Sequence, residues 1–269
     1  MPDSPKPKRR WYQYSIRSLL VLTTLVAIAC SWYASEMQNA ARRRTAIMEI
    51  EKLGGSVRYY DAARPGSHGQ PPAWYSWLRL MYGDKQLGNA VDIVLMKEEV
   101  TDAELVHLKE LTNLERLHLW GPDVSDAGII HLKDLSKLKV LQLMRTKTTD
   151  AGMIYLKDMT RFEKLYLSGT KITDAGLANI KGLLELQSLH IAKTQVTDTG
   201  IAHLDGFTKL EELNLDKTQI TDASLVHLKK LTWLDTLSLR GTRISEEAAE
   251  ELQQALPNCS ISHYTEADD

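Results

Sequence analysis

Two cysteines, two phenylalanines and a formal net charge of only −2 are what this 269-residue chain has least of. With Cys30 and Cys259 alone, no framework of intramolecular disulfides is available. The near balance of acids and bases favours neither a nucleic acid nor an acidic surface as partner. Catalytic signatures are also missing. Ser, His and Asp are all present, yet there is no G-x-S-x-G nucleophile turn and no G-x-x-x-x-G-K-S/T phosphate loop. These absences leave no catalytic constellation to propose, and no cofactor is expected.

What the chain has in quantity is repetition. Six consecutive 24-residue units run from Thr101 to Ile244 without insertion or deletion, each opening on a Thr/Ser-Asp dipeptide: Thr101-Asp102, Ser125-Asp126, Thr149-Asp150, Thr173-Asp174, Thr197-Asp198 and Thr221-Asp222. A fixed period of this length predicts a solenoid, in which each unit is too small to enclose its own apolar residues and stacking closes the core. In the second half of a unit Leu117 and Leu119 alternate with Arg116, His118 and Trp120, which predicts a short strand with the leucines inward. The opening Thr or Ser stands where a helix N-cap belongs, with the following Asp in the first turn, where the helix dipole favours a negative charge. Leu105, Leu108 and Leu111 then give a short helix one apolar edge.

The second half of every unit reads L-x-x-L-x-L-x-x-T-x-I, and this resembles the leucine-rich repeat, with Thr in five copies and Pro122 in one where the usual motif has Asn or Cys. The first half, Thr-Asp-Ala-Gly-Leu-x-x-Leu, is similar to a large group of bacterial repeat proteins and, more distantly, to the repeats of F-box-type proteins. No F-box segment is visible, so ubiquitin-adaptor activity does not carry over. The resemblance implies an α/β leucine-rich repeat solenoid, with a concave ribbon of parallel strands, short convex helices, and a role in recognition. Val91–Met96 aligns with the strand half of a unit, since Ile93 and Leu95 stand 24 residues before Leu117 and Leu119, which makes seven strands.

Two regular columns invite chemistry. Thr146, Thr170, Thr194, Thr218 and Thr242 are read as hydroxyls bonding backbone in the turn after each strand, against the alternative of a row of modified side chains. His107, His131, His203 and His227 share a helix column, but Tyr155 and Asn179 interrupt it, and zinc needs three or four convergent ligands. No metal is expected.

The amino-terminal part predicts a membrane anchor. Residues 18–35 carry no charge and are rich in Leu, Val, Ile, Ala and Thr, near the lower limit for a bilayer-crossing helix. Trp11, Tyr12 and Tyr14 stand before the run and Trp32 and Tyr33 at its close, as interfacial aromatics do. Lys6, Lys8, Arg9, Arg10 and Arg17 precede it, so the positive-inside bias puts residues 1–17 in the cytoplasm and the repeats outside. Two alternatives compete: a signal peptide cleaved near Ala27-Ile28-Ala29, and lipidation of Cys30 in a lipobox-like Ala27-Ile28-Ala29-Cys30. Both still export the repeats.

Residues 36–90 are read as a helical stalk and amino-terminal cap. They comprise a helix over Glu36–Leu53 stopped by Gly54-Gly55, a strand at Val57–Tyr60, a Pro/Gly loop, and an aromatic cluster at Trp74–Tyr82 covering the solenoid's open end. Residues 91–244 form the solenoid, 245–263 the carboxy-terminal cap with a final short strand at Ser260–His263, and 264–269 a loose tail.

Function is then sought on the outward columns, which are irregular where the core ones are regular. Trp120 and Met144 are neighbours, with His118, Gln142 and Tyr166 beside them and Arg116 and Lys164 at the margin, and Trp, Tyr and Arg are the types enriched in binding hot spots. This group is the candidate contact patch for a protein or peptide partner. The competing reading folds Trp120 over the turn at Gly121-Pro122 or onto the cap. Two functions follow: a membrane-anchored interaction module, or a structural, self-associating spacer of the cell envelope.

Overall fold

Each unit begins with a polar cap and ends with a strand, and the chain repeats this step along one sheet. The computed structural model describes residues 16–59 and 90–264. Among these, a nine-stranded sheet runs in sequence order from β1 to β9. Strand β1 (Ser56–Tyr59) is antiparallel to β2 (Ala90–Met96). The remaining strands, β3 (Arg116–Trp120), β4 (Val140–Met144), β5 (Lys164–Tyr166), β6 (Ser188–His190), β7 (Glu212–Asn214), β8 (Thr236–Ser238) and β9 (Ser260–Ser262), continue from β2 in parallel. Register follows the period, since Leu117 faces Leu141, Leu141 faces Leu165 and Leu165 faces Leu189.

Short helical segments connect the strands: α2 (Asp102–Leu105), α3 (Asp126–Ile129), α4 (Asp150–Met153), α5 (Asp174–Ile180), α6 (Asp198–Ile201) and α7 (Leu225–Leu228), several running on into a 3₁₀ turn. A four-residue helix has no stability of its own. It is held by the apolar side chains beneath it: in the unit opening at Ser125, Ile129, Leu132, Leu135, Leu138, Leu141 and Leu143 are all 0% exposed. Fully burying each such side chain contributes roughly 1.5–3 kcal/mol. Both phenylalanines, Phe162 and Phe207, occupy the same continuous core.

The Asp of the opening dipeptide does more than complement a helix dipole. Asp150 Oδ1 accepts the backbone N–H of Thr173 at 2.8 Å and its Oδ2 accepts the Thr173 hydroxyl at 2.7 Å. The same double contact joins Asp102 to Ser125, Asp126 to Thr149, Asp174 to Thr197, Asp198 to Thr221 and Asp222 to Ser245. Each unit thus caps the next, 23 residues on. The glycine of Thr-Asp-Ala-Gly follows from this. A Cβ on Gly128, Gly152 or Gly176 would lie 2.5 Å from the Oδ1 of the preceding unit's Asp, and one on Gly200 would meet Asp174 in the same way. In the first unit Glu104 occupies the glycine position and takes the role of the Asp carboxylate. Its carboxylate accepts the Thr101 N–H at 2.8 Å and the Thr101 hydroxyl at 2.6 Å. Ser224 holds the glycine position in the sixth unit, and there the turn over Asp222–Ser224 is 3₁₀ rather than α.

The threonine column is buried, and its hydroxyls donate to the carbonyl three residues back, as in Thr170 to Leu167, Thr194 to Ile191 and Thr218 to Leu215, all at 2.6 Å. The turn just before it is left-handed: Arg145, Lys193 and Lys217 have φ near +55°, and Gly169 and Gly241 share the conformation.

Stalk and anchor, read from the sequence as two segments, are one helix. α1 spans Ile16–Lys52, because no Gly or Pro interrupts that stretch. Its end is a Schellman turn: Gly54, at φ +72°, donates to Glu51, and Gly55 donates to Ile50. The two halves of α1 differ in surroundings. Leu19, Leu20, Val21, Leu22, Leu25, Val26 and Ile28 are exposed, whereas Ala46, Ile47 and Ile50 join the solenoid core and pack near the 3₁₀ turn Val106–Glu110. The open end at β2 is therefore covered by the second half of α1 and by β1. The aromatic cluster Trp74–Tyr82, expected to do this, lies outside the described residues, as does Tyr60 at the end of the expected first strand. At the other end α8 (Glu246–Ala255) buries Ala248, Ala249 and Leu252, and β9 extends the sheet.

Candidate interaction face

Alternation along each strand sends every second side chain to the outer face of the sheet, and parallel pairing lines these up into columns. Arg116 sits beside Val140 and then Lys164; His118 sits beside Gln142 and then Tyr166; Trp120 sits beside Met144. Five of the seven residues in the sequence-based patch, Arg116, His118, Gln142, Lys164 and Tyr166, surround one depression of about 390 Å³, together with Val140, Lys139 and Glu163. Trp120 and Met144 do not border it. Both are half-buried at the far end of their strands.

Hydrogen bonds hold the floor in place. His118 Nδ1 and Gln142 Oε1 are 2.8 Å apart, and Gln142 Nε2 lies 2.9 Å from Met144 Sδ. The Tyr166 ring meets His190 edge-on with centroids 4.7 Å apart. Burial pushes the His190 imidazolium pKa below its usual value, outweighing the attraction of Glu212, whose carboxylate lies 3.8 Å from Nε2. His190 is therefore neutral near pH 7.

Charges on this face are unevenly satisfied. Lys139 Nζ stands between Glu115 at 3.6 Å and Glu163 at 3.9 Å. Arg116 and Lys164 have no ion-pair partner among the described residues. Asp92, 24 residues before Arg116 and paired with it across β2 and β3, is buried; its Oδ2 lies 3.6 Å from Arg58 Nε and its Oδ1 4.0 Å from His118 Nε2. That Oδ1 has no hydrogen-bond partner in the described part of the chain.

Sequence reasoning missed Lys139, Glu163 and Asp92. Asp92 was within reach, since the spacing that aligns Ile93 with Leu117 also aligns Asp92 with Arg116. Lys139 and Glu163 precede their strands, and only their long side chains bring them to the depression. Of the histidine column, His227 bonds Asp205 at 2.9 Å, and among the described residues no group of three His, Cys, Asp or Glu side chains is placed to hold a metal ion.

No protein-family model and no curated protein matches the chain. Solved structures do resemble it. Internalin C2 of Listeria monocytogenes aligns over 72% of this chain and 93% of its own length, at 22% identity and a TM-score of 0.52. A second internalin from the same organism aligns over 72% and 88%, at 16% identity and a TM-score of 0.39. The likeness to internalin C2 is one of fold, and with the parallel strands and short helices it makes this chain a leucine-rich repeat solenoid.

Proposed function

We propose that the chain is a non-catalytic, membrane-anchored interaction module whose strand face holds another protein or a peptide. The observation that carries the reading is the depression on that face, where Arg116, His118, Gln142, Lys164 and Tyr166 converge on a rigid ribbon. The core columns repeat from unit to unit, while these columns change at every strand. Invariance serves the fold, and the varied face is free for recognition. Trp120 and Met144 extend the apolar part of the same face beyond the depression.

The anchor is residues 18–35, with residues 1–17 in the cytoplasm and the repeats outside. In support, the first half of α1 is long and apolar enough to cross a membrane and is not buried by the rest of the described residues. A run of exposed Leu, Val and Ile is costly in water and suits lipid. Trp32 and Tyr33 stand where such a span would meet the interface. Intact mass of the mature chain separates an uncleaved anchor from cleavage near Ala29 or lipidation of Cys30. Reporters fused after Tyr33 and after Asp269 test the side.

The partner reading is tested by affinity capture from detergent extracts with the full chain and with Arg116→Ala/Tyr166→Ala. The expected result is one stoichiometric foreign protein, lost in the double variant at unchanged thermal stability. Retention by the variant at wild-type level would move the contact elsewhere, and recovery of copies of this chain alone would favour the spacer reading.

A further inference from the structure

Beyond which face binds, the distribution of charge along it describes what binds and how it lies. At the amino-terminal end Lys139 is shared by Glu115 and Glu163, and Asp92 faces Arg58 and His118, so Arg116 and Lys164, flanking Val140, are the cations without an ion-pair partner among the described residues, and the group, four cations against three carboxylates, keeps a net positive charge. Toward the other end the sign reverses. Glu211 and Asp235 directly precede β7 and β8, in the same column as Lys139 and Glu163. Both are exposed, and neither side chain has an ion-pair partner among the described residues. Glu212, beside Glu211, accepts the Ser188 hydroxyl at 2.9 Å and faces His190, which carries no charge near neutrality. Between the two ends the Tyr166 and His190 rings form the aromatic centre of the ribbon.

We infer that the strand face takes an extended polypeptide segment along the solenoid axis, with an acidic residue over β3–β5 and a basic residue over β7–β8. This rests on the proposed use of the strand face and specifies its occupant. The two poles are three to four strands apart, about 17 Å at about 4.8 Å per strand, which an extended chain at about 3.3 Å per residue crosses in about five residues. The ligand signature is therefore an acid and a base with about four residues between them, an aromatic or flat group falling between the poles. Unpaired charges of one sign facing unpaired charges of the other steer a partner and fix its orientation.

The test uses the full chain in neutral detergent and fluorescein-labelled peptides read by anisotropy at low salt. The probe carries Glu-Glu, four neutral residues including Tyr, and Lys-Lys; controls replace either charged pair with Gln-Gln. The bipolar peptide should bind about tenfold more tightly than either control, with the preference shrinking at high salt. Arg116→Glu/Lys164→Glu and, separately, Glu211→Lys/Asp235→Lys should each weaken it about tenfold, and the quadruple variant should regain it, because the same peptide then lies reversed. Arg116, Glu211 and Asp235 are exposed and Lys164 is half-buried on the outer face of its strand, so circular dichroism should be unchanged. Binding of the bipolar peptide no better than the controls, wild-type binding by either pole variant, or no recovery in the quadruple variant would overturn the inference, as would a self-association that the pole variants abolish. If the pole variants keep the native partner while Arg116→Ala/Tyr166→Ala loses it, the face is the site and its polarity is not the determinant.

Discussion

Removing the carboxylate of Asp150 should weaken the solenoid by an amount that can be worked out from its two contacts. Both are hydrogen bonds to an ionised acceptor, at 2.8 and 2.7 Å, in a partly buried seam between α4 and α5. Such bonds contribute about 1.5–3 kcal/mol each when one partner is removed, and the pair share one side chain, so Asp150→Ala should cost about 2–4 kcal/mol rather than the full sum. Asp150→Asn keeps an oxygen for the Thr173 N–H but presents an amide N–H₂ to a hydroxyl that had been donating. It loses charge assistance on one bond and the sense of the other, about 1–2 kcal/mol. Gly176→Ala attacks the same contact from the other side, with its Cβ 2.5 Å from Asp150 Oδ1, 3.2 Å from Ile172 Cβ and 3.4 Å from Met153 Cγ. The sixth unit shows how the backbone gives way, by tightening to a 3₁₀ turn at Ser224, so the cost should be about 1–2 kcal/mol. In the Asp150→Ala background the 2.5 Å contact is gone, only the 3.2 Å approach to Ile172 Cβ remains, and alanine's helix preference of about 1 kcal/mol over glycine offsets it, so most of the cost should disappear. The assay is urea unfolding of the full chain in neutral detergent followed by circular dichroism, with all four variants in one cycle. If Gly176→Ala were equally destabilising with and without the Asp150 carboxylate, the seam would not be what excludes a Cβ there.

Three further outcomes follow. Thr194→Val preserves shape but removes the hydroxyl that donates to Ile191 O at 2.6 Å; loss of about 1 kcal/mol is expected in the same unfolding assay, and no loss would return the threonine column to other roles. Lys193→Gly, at φ +55°, should stabilise by about 0.5–1 kcal/mol, because glycine adopts the left-handed region freely; a destabilised variant would mean that the lysine side chain makes a contact outweighing the strain. His190 is held below its usual pKa by burial. The unfolded chain takes up that proton first as pH falls, so this residue's contribution to stability is present above its ordinary pKa of about 6.5 and is lost below it. Unfolding at pH 7.5 and pH 5.5 should therefore show His190→Gln losing less stability on acidification than the parent, and equal losses would refute the assignment.

The strands, their register and the inward leucines were legible because each is signalled again in every unit; one weak signal repeated at constant spacing becomes a strong one. Elements that occur once were read less completely. The helix over Glu36–Leu53 and the apolar run before it looked like two objects because their compositions differ, yet nothing in the sequence ends a helix between them. β1 was found as a strand, but nothing in its four residues signals an antiparallel place beside β2. The role of Asp102 and its equivalents escaped notice for a different reason. A carboxylate in a first helical turn already had a sufficient local explanation, and the partner that uses it lies in the next unit. On the strand face, counting alternate residues found Arg116, His118, Gln142, Lys164 and Tyr166, whereas the reach of Lys139 and Glu163 to the same depression depends on side-chain length and direction.

The carboxylate seam also governs how such a chain lengthens. Each Asp must meet a Thr or Ser 23 residues later, while each strand must meet its neighbour at an offset of 24 and each left-handed turn must recur at that same offset. Losing or gaining a single residue inside a unit breaks all three at once, whereas copying a whole unit breaks none. An engineer can therefore splice one more whole unit at the junction between Ile172 and Thr173, with the offsets of 23 and 24 preserved on both sides.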